Sequence, residues 1–478
     1  MVRKRTKIVA TISDKNSDPD FIRQLYEAGM DVVRINSAHL DIPAAIRIID
    51  NVRQVSEKIA ILIDTKGPEI RTTVSDDPVK VVIGNIYRMT GDPGTKSTPE
   101  NICVSLAGFS EVVPLGSVIM IDDGDVELRV IRKEGKSLYC RADSEGIIGS
   151  RKSVNIPGVR IPLPSVTERD KAFLKMAAEK EVDFIAHSFV RSKQDVLDVQ
   201  AELDKYKSDI KIIAKIENQE GVENLVEILE VVYGIMVARG DLAIEIPYEK
   251  VPGIQKMIIS RCLYCRKPVI VATQMLHSMI ENSRPTRAEV SDIASAIYSH
   301  TDALMLSGET ACGKYPVEAV KTMTRVAMEV ERNKEKFIET PYIEVTGEIS
   351  AYLAKVAVKT SVRVHAKAII ADTVAGRTIR DMASYRGSNL VLAQCYSART
   401  MRELALSYGV YPSFQEKRNS VDEFIHIALQ NLTKTHDLKA DDIVVVLAGN
   451  FSGRLGFSFI EVGTVQYLND RISIKEDS

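Results

Sequence analysis

The sequence predicts an α/β protein: an eightfold β/α barrel, a small β domain inserted into it, and a separate α/β domain after it. Three observations predict this. Eight short apolar runs alternate with segments of helical period. The interval between the third and fourth runs is strand-like throughout, and the alternation resumes beyond residue 340. An open doubly wound sheet is the alternative for the first part, and the count of eight favours a closed barrel.

The barrel strands are expected at Lys7–Ile12, Asp31–Asn36, Ala60–Asp64, Asp183–Phe189, Lys211–Ile216, Gly234–Ala238, Pro268–Thr273 and Asp302–Leu306. Helices fit between most of them, at Pro19–Ala28, Ala44–Val55, Glu168–Glu179, Lys193–Lys205, Val222–Glu230 and Arg287–Tyr298. From about Thr72 to Ile156 no long amphipathic helix appears. Short β-rich runs (Val79–Ile83, Val118–Ile121) are punctuated by Gly91-Asp-Pro-Gly94, Asp122-Asp-Gly124, Glu134-Gly135 and Pro157-Gly158. An insertion in that βα loop belongs over the barrel mouth, where a lid would act. After a last barrel helix, Pro316–Lys336, the stretch Glu339-Thr-Pro-Tyr342 is a plausible boundary. Beyond it come helix Ser350–Val364, strand Ala368–Asp372, helix Arg377–Tyr385, strand Leu390–Ala393 and helix Ala398–Ser407. Helix Ser420–Thr435, strand Ile443–Ala448 and a final strand near Gly463–Tyr467 complete the chain. The expected division is 1–71 with 157–339 for the barrel, 72–156 for the insertion, and 340–478 for the C-terminal domain.

At 478 residues, two or three domains are the prior expectation. An apolar fraction of 45% and a charged fraction of 27% are those of a globular protein in water. The net charge of −2 gives no bulk attraction to nucleic acid or anionic membrane. The basic start, Met1 to Ile12, has no apolar stretch of signal-peptide length, and no window approaches the roughly 18 apolar residues of a membrane helix. A cytoplasmic protein is expected. Cys262-Leu-Tyr-Cys265 is a lone C-x-x-C in a helical run, and neither the six cysteines nor the seven histidines form a zinc-ligand pattern.

The chemistry is concentrated at the C-terminal ends of the predicted strands. Lys211-Ile-Ile-Ala-Lys-Ile-Glu217 delivers Lys215 and Glu217, two apart and so on one side of a strand. Gly234-Ile-Met-Val-Ala-Arg-Gly-Asp241 delivers Arg239 and Asp241. Strand two ends in Arg34-Ile-Asn-Ser-Ala-His39, strand three in Asp64-Thr-Lys-Gly-Pro-Glu-Ile-Arg71, strand seven in Thr273-Gln274, and strand eight in Ser307-Gly-Glu-Thr310. Singly, Arg34, Glu69 and Arg239 read as rim ion pairs, and Asp241, Thr273 and Ser307 as helix caps. Unrelated charges would fall at both ends of a barrel. Three cations (Arg34, Arg71, Lys215) meeting two carboxylates at one end suit a phosphorylated carboxylic acid held with a divalent metal.

These motifs resemble pyruvate kinase over nearly the whole chain. Lys211–Val222 is similar to that family's signature. So are Asp64–Thr72, Met236–Asp241, Ala272–Leu276, Arg284–Glu289 and Met305–Ala311. The resemblance implies a (β/α)8 TIM barrel with an inserted small β-barrel lid and a C-terminal α/β domain. It implies transfer of the phosphoryl group of phosphoenolpyruvate to ADP. Glu217 and Asp241 would hold Mg²⁺ or Mn²⁺, and Lys215 would stabilise the phosphoryl group in flight. Arg34, Gly240 and Thr273 would contact substrate. Asn36, His39, Arg71 and Lys152 would face nucleotide. Ser307 and Glu309 are candidates for a water relay to the enolate, with a lysine proton donor as the competing idea. The family's potassium site maps to Asn36, Asp64 and Thr65.

Here the chain departs from the family. Asn36-Ser-Ala-His39 stands where Asn-Phe-Ser-His is usual, so Ala38 replaces the serine that ligates potassium. Glu69 matches the potassium-dependent members, whereas potassium-independent ones carry lysine. K⁺ is therefore still expected, with water or Ser37 completing the shell. The turns Thr11-Ile-Ser-Asp14 and Leu242-Ala243 depart less consequentially. In the C-terminal domain, Thr373-Val-Ala-Gly-Arg-Thr378 joins a strand to a helix as a plausible phosphate cradle, with Thr373, Gly376, Arg377 and Thr378 as its residues. It resembles the family's sugar-phosphate effector loop, and Gly449–Gly456 resembles the loop facing it. A homotetramer is implied by resemblance alone. The rivals are a metal-dependent barrel lyase, which would not need Lys215 beside the metal, and a non-catalytic relative, which would not need the complete set.

Overall fold

The structure, a computed structural model, describes residues 3–333, 349–418, 420–449 and 459–476. The expected boundary at Glu339–Tyr342, the end of the helix at Lys336 and most of the loop Gly449–Gly456 lie outside the described residues.

Eight parallel strands close into a barrel: Lys7–Ile12, Val32–Asn36, Ala60–Asp64, Phe184–His187, Lys211–Ile216, Gly234–Ala238, Val269–Ala272 and Ala303–Leu306. Closure is direct, because strand one pairs with strand eight in register Lys7 to Ala303. Inward-facing Val9, Leu62, Met236 and Met305 fill the interior as a packed layer, so the barrel is a core and not a pore. Outward-facing Ile8, Ile35, Ile63 and Ile216 pack against the surrounding helices. Each such side chain contributes about 1.5–3 kcal/mol on burial.

The helices start where the sequence supplies caps. Asp18 and Asp41 each accept a backbone N–H in the first turn of their helices. Thr167 with Asp170 and Thr286 with Glu289 form capping boxes. The helix expected over Val222–Glu230 is two helices, Gln219–Glu223 and Leu225–Val231, broken at Asn224. The Asn224 side chain there donates to the Arg191 carbonyl, a local bond that competes with helix continuation.

The insertion leaves the barrel after strand three and builds its own core from Ile70, Val79, Met89, Phe109, Leu128 and Val154. Its seven-stranded sheet curls until the edge strands meet. Thr72 bridges Val104, and the Ser105 N–H bonds the Arg71 carbonyl at 2.8 Å. The C-terminal domain is a five-stranded sheet, parallel except for its last strand, Phe459–Thr464. Two elements there differ from expectation. Val410–Phe414 is an additional strand. The final strand expected near Gly463–Tyr467 ends at Thr464, whose hydroxyl accepts the Tyr467 N–H at 3.1 Å and caps a helix, Val465–Glu476. The apolar run was too short to separate strand from helix, and the cap decides it.

Among the described residues no helix is long and apolar enough to cross a membrane. All six cysteines are free, with Cys262 buried in the helix Val251–Tyr264 and Cys265 exposed just past its end.

Candidate functional site

The ends of strands two to eight converge on one charged centre. Lys215 is its hub. Its ammonium lies 3.0 Å from Asp64 Oδ1, 2.9 Å from Glu217 Oε1, and donates to Ser188 Oγ at 2.8 Å. Burial works against its charge, but Asp64 and Glu217 outweigh burial and hold it protonated, above the ordinary lysine range. Arg34 donates from Nε to Asp64 Oδ2 at 2.7 Å and from Nη1 to Thr11 Oγ at 3.0 Å. Asp64 is itself buried, yet Arg34 and Lys215 keep its carboxyl below the usual carboxylate range.

Glu217 has a different balance. Its Oε2 accepts the Phe189 N–H at 2.7 Å, while the buried Oε1 faces Lys215 without accepting a hydrogen bond. Burial raises its carboxyl pKa, and the neighbouring carboxylates Asp241 and Asp64 add to the rise. Burial also raises that of Asp241, in the first turn of the short helix Arg239–Glu245. Two adjacent carboxylates with an underused buried oxygen fit a divalent cation. Among the described residues no group of three or more His, Cys, Asp or Glu is placed to hold a metal ion, so a cation held by these two carboxylates would need further ligands from substrate and water.

Backbone strain and struts complete the centre. Thr273 and Gln274 both adopt left-handed conformations, φ 69° and 56°. Thr273 Oγ accepts the Gly240 N–H at 2.9 Å, and Arg239 reaches the Thr273 carbonyl at 2.6 Å while pairing with Asp292. Arg239 is thus a strut for the turn that carries Thr273 and Asp241. Glu309 likewise accepts from Ser307 N–H at 2.7 Å and Leu276 N–H at 3.0 Å, one on each oxygen. Both of its oxygens tie loops together, a brace and not a free acid.

A cleft of about 820 Å³ runs from Asp241 to the insertion, lined by Glu69, Arg71, Asp122, Lys152 and Asn218 among others. Arg71 grips Glu69 at 2.7 and 2.9 Å and the Arg151 carbonyl at 2.6 Å, and Lys152 pairs with Asp122 at 2.6 Å. His39 is exposed and, with Asn36, does not line this cleft. Around the expected potassium position, Asn36 Oδ1 accepts the Ala38 N–H at 3.1 Å and Asp64 is committed to Arg34 and Lys215. Thr65 Oγ accepts the Ser188 N–H at 3.1 Å, and the buried Ser37 Oγ has no hydrogen-bond partner.

The cradle residues lie apart, in the C-terminal domain. Thr373 Oγ accepts the Gly376 N–H at 2.8 Å, and Gly376 has φ 75°, where a Cβ would meet Arg380 Nη1 at 2.9 Å. Arg377 and Thr378 open the following helix.

Sequence reasoning missed Ser188, Thr11 and Asp292. Ser188 was within reach of it, since it lies in the expected strand Asp183–Phe189, one residue past the observed end at His187. Asp292 had no signal, because it sits mid-helix and meets Arg239 only through the fold.

Comparisons with known proteins agree along the chain. The family model for the pyruvate kinase barrel domain matches residues 3–320, and that for the pyruvate kinase alpha/beta domain matches 352–461. A pyruvate kinase of Borreliella burgdorferi is 46% identical over 471 residues, covering 98% of each chain. One from Staphylococcus aureus is 40% identical, covering 95% of this chain and 79% of that one. The crystal structure of a pyruvate kinase from Cryptosporidium parvum superposes with a TM-score of 0.92 at 32% identity, over 97% of this chain and 96% of that one.

Proposed function

This chain belongs to the pyruvate kinase family, and from that premise we propose how its residues divide the work of the reaction. The activity is transfer of the phosphoryl group of phosphoenolpyruvate to ADP, giving pyruvate and ATP in glycolysis. The observation that carries the assignment of roles is the buried Lys215 ammonium held by Asp64, Ser188 and Glu217, with Asp241 beside it at the head of the cleft.

Lys215 is a fixed positive charge aimed at the transferring phosphoryl group, and its fork of partners keeps it protonated. Arg34, locked by Asp64 and Thr11, orients the phosphate of phosphoenolpyruvate. Glu217 and Asp241 would hold Mg²⁺ or Mn²⁺, which would supply charge neutralisation for the phosphoryl transfer. The Gly240 backbone and Thr273 contact the enolpyruvate, Thr273 near the carbon that receives a proton, and Ser307, set by Glu309, belongs to the water relay to the enolate. Arg71 and Lys152 bind nucleotide phosphates from the cleft, where their present partners Glu69 and Asp122 release them to ligand. Asn36 and His39 stand at the nucleotide edge. Asn36, Asp64 and Thr65 are the potassium residues, with Ser37 Oγ, buried and unpartnered, available to replace the hydroxyl that Ala38 lacks.

Residues 72–156 act as a lid over the cleft, and residues 340–478 as a regulatory domain in which Thr373, Gly376, Arg377 and Thr378 cradle a phosphorylated effector. The working form is a homotetramer in the cytoplasm. The direct test is ATP formation from phosphoenolpyruvate and ADP with Mg²⁺, with and without KCl at constant ionic strength. Turnover dependent on K⁺ supports the cation residues, and turnover without K⁺ removes them while keeping the enzyme. A folded chain with no turnover under any phosphorylated effector would return the lyase reading.

A further inference from the structure

A second cationic cavity lies at the opposite end of the barrel. It holds about 510 Å³ between the barrel floor and the C-terminal helix Arg377–Ser384. That size suits a small organic ligand. Four cations line it: Lys211 at the start of strand five, Lys267 just before strand seven, and Arg377 and Arg380 from the helix. The acids on its wall are Asp204 and Asp209, both exposed. Glu403 stands behind Lys211 and forms a long ion pair with it, Oε1 lying 3.7 Å from the ammonium and beyond hydrogen-bond distance.

Two of the cations, Arg380 and Lys267, are held in place. Arg380 stacks 5.1 Å over the ring of Tyr233 and reaches the Ala375 carbonyl at 3.3 Å. Tyr233 in turn donates to the Glu403 carbonyl at 3.0 Å. Lys267 donates to the Val232 carbonyl at 2.6 Å. Burial, and then the nearby Arg380 charge, disfavour the protonated form of Lys267. Fixed like charges around an open cavity are stabilised by an anion that bridges them.

We propose that this cavity binds a phosphorylated small molecule, whose phosphoryl dianion bridges Lys211, Lys267 and Arg380. The site is separate from the barrel mouth. It borders the effector cradle at Arg377, but neither Thr373 nor Thr378 lines it. Its position gives it leverage on the reaction. Lys211 begins the strand that ends in Lys215 and Glu217, and Tyr233 directly precedes the strand that leads to Asp241. A ligand there braces the starts of both strands that carry the metal carboxylates.

The experiment is calorimetric titration of the full-length chain with inorganic phosphate and, separately, glycerol 3-phosphate. Phosphoenolpyruvate and Mg²⁺ are kept saturating, without ADP, so that the barrel mouth is filled. The wild type is expected to bind, and Lys267→Met and Arg380→Met each to weaken binding by about tenfold through loss of one charged contact. Asp209→Asn should tighten it, and Thr378→Ala should leave it unchanged. Tighter glycerol 3-phosphate than phosphate identifies an organic phosphate as the occupant, and equal affinity identifies phosphate itself. If either methionine variant fails to fold by circular dichroism, Lys211→Gln carries the same expectation. No binding at millimolar ligand, or equal binding by wild type and the cavity variants, overturns the site. Loss of binding in Thr378→Ala also overturns it, by moving the anion to the cradle.

Discussion

The two ends of the barrel use the same residue types to opposite effect. At the floor, Asp183 accepts from Ile61 N–H and Arg53 on one oxygen and from Arg402 on the other. Asp302 is saturated likewise, by Arg386 on both oxygens, Val269 N–H and Tyr408 N–H. Between these pairs Leu406, fully buried, enters the interior layer beside Met236 and Met305, so the C-terminal domain stoppers the barrel. At the mouth three carboxylates crowd one lysine, Glu217 Oε1 accepts no hydrogen bond, and Thr273 and Gln274 are left-handed. Saturated charge marks a joint. Undersatisfied charge on strained backbone marks a place where something else must bind.

Mutations at the two ends should therefore fail in different ways. Lys215→Met is expected to lower kcat about a thousandfold. Its melting temperature should change little, because Asp64 keeps Arg34 as a partner and burial already favours the protonated forms of Glu217 and Asp241. Arg386→Met should do the reverse. It strands the buried Asp302 and costs about 3–5 kcal/mol of unfolding free energy, while kcat per folded molecule stays near wild type. Parallel urea titrations and turnover assays measure both. Loss of turnover without loss of stability in Arg386→Met would erase the distinction between joint and site.

His187, within strand four, sharpens the contrast by pH. Burial lowers its pKa from 6.5 to about 4, and its Nδ1 lies 3.4 Å from Thr65 Oγ. The unfolded chain binds this proton more readily than the folded one. Stability is then complete above pH 6.5 and is lost as pH falls toward 4, an effect of about 3 kcal/mol. His187→Asn should flatten that part of the profile of unfolding free energy against pH. An unchanged slope would assign the acid sensitivity to other groups.

How legible each end was in the sequence follows from the same physics. The mouth residues announce themselves because apolar runs break into charge, as at Lys215-Ile-Glu217 and Arg239-Gly-Asp241, and the eightfold alternation puts those breaks at one end. The floor was invisible. Asp183 and Asp302 read as ordinary strand starts, and Arg386 and Arg402 lie more than 80 residues away in sequence from those acids. Partners of that separation are chosen by tertiary docking, which local pattern does not encode. The helix at Val465 was lost for a smaller reason, a single threonine cap that outweighed a β-like run.

The smallest expected effect concerns the departure from the family that touches the expected potassium position. Ala38 carries no ligand atom, and its N–H instead holds Asn36 Oδ1 at 3.1 Å. Ser37 Oγ is buried and unpartnered next to it, and Ser37 N–H is fixed to the Asp64 carbonyl at 3.0 Å. A potassium ion bound by Asn36, Asp64 and Thr65 would draw its missing oxygen from Ser37 or from water. Ala38→Ser restores a hydroxyl at the family's position and should lower the K⁺ concentration for half-activation by a few fold, the worth of one neutral ligand contact. Ser37→Ala should raise it by a similar factor if Ser37 is the substitute, and leave it unchanged if water is. The pair of KCl titrations, at constant ionic strength and saturating phosphoenolpyruvate, separates these outcomes. Indifference of both variants to K⁺ would mean that Glu69, held by Arg71 and by Lys66 at 3.3 Å, already receives from Lys66 the positive charge that the ion would provide.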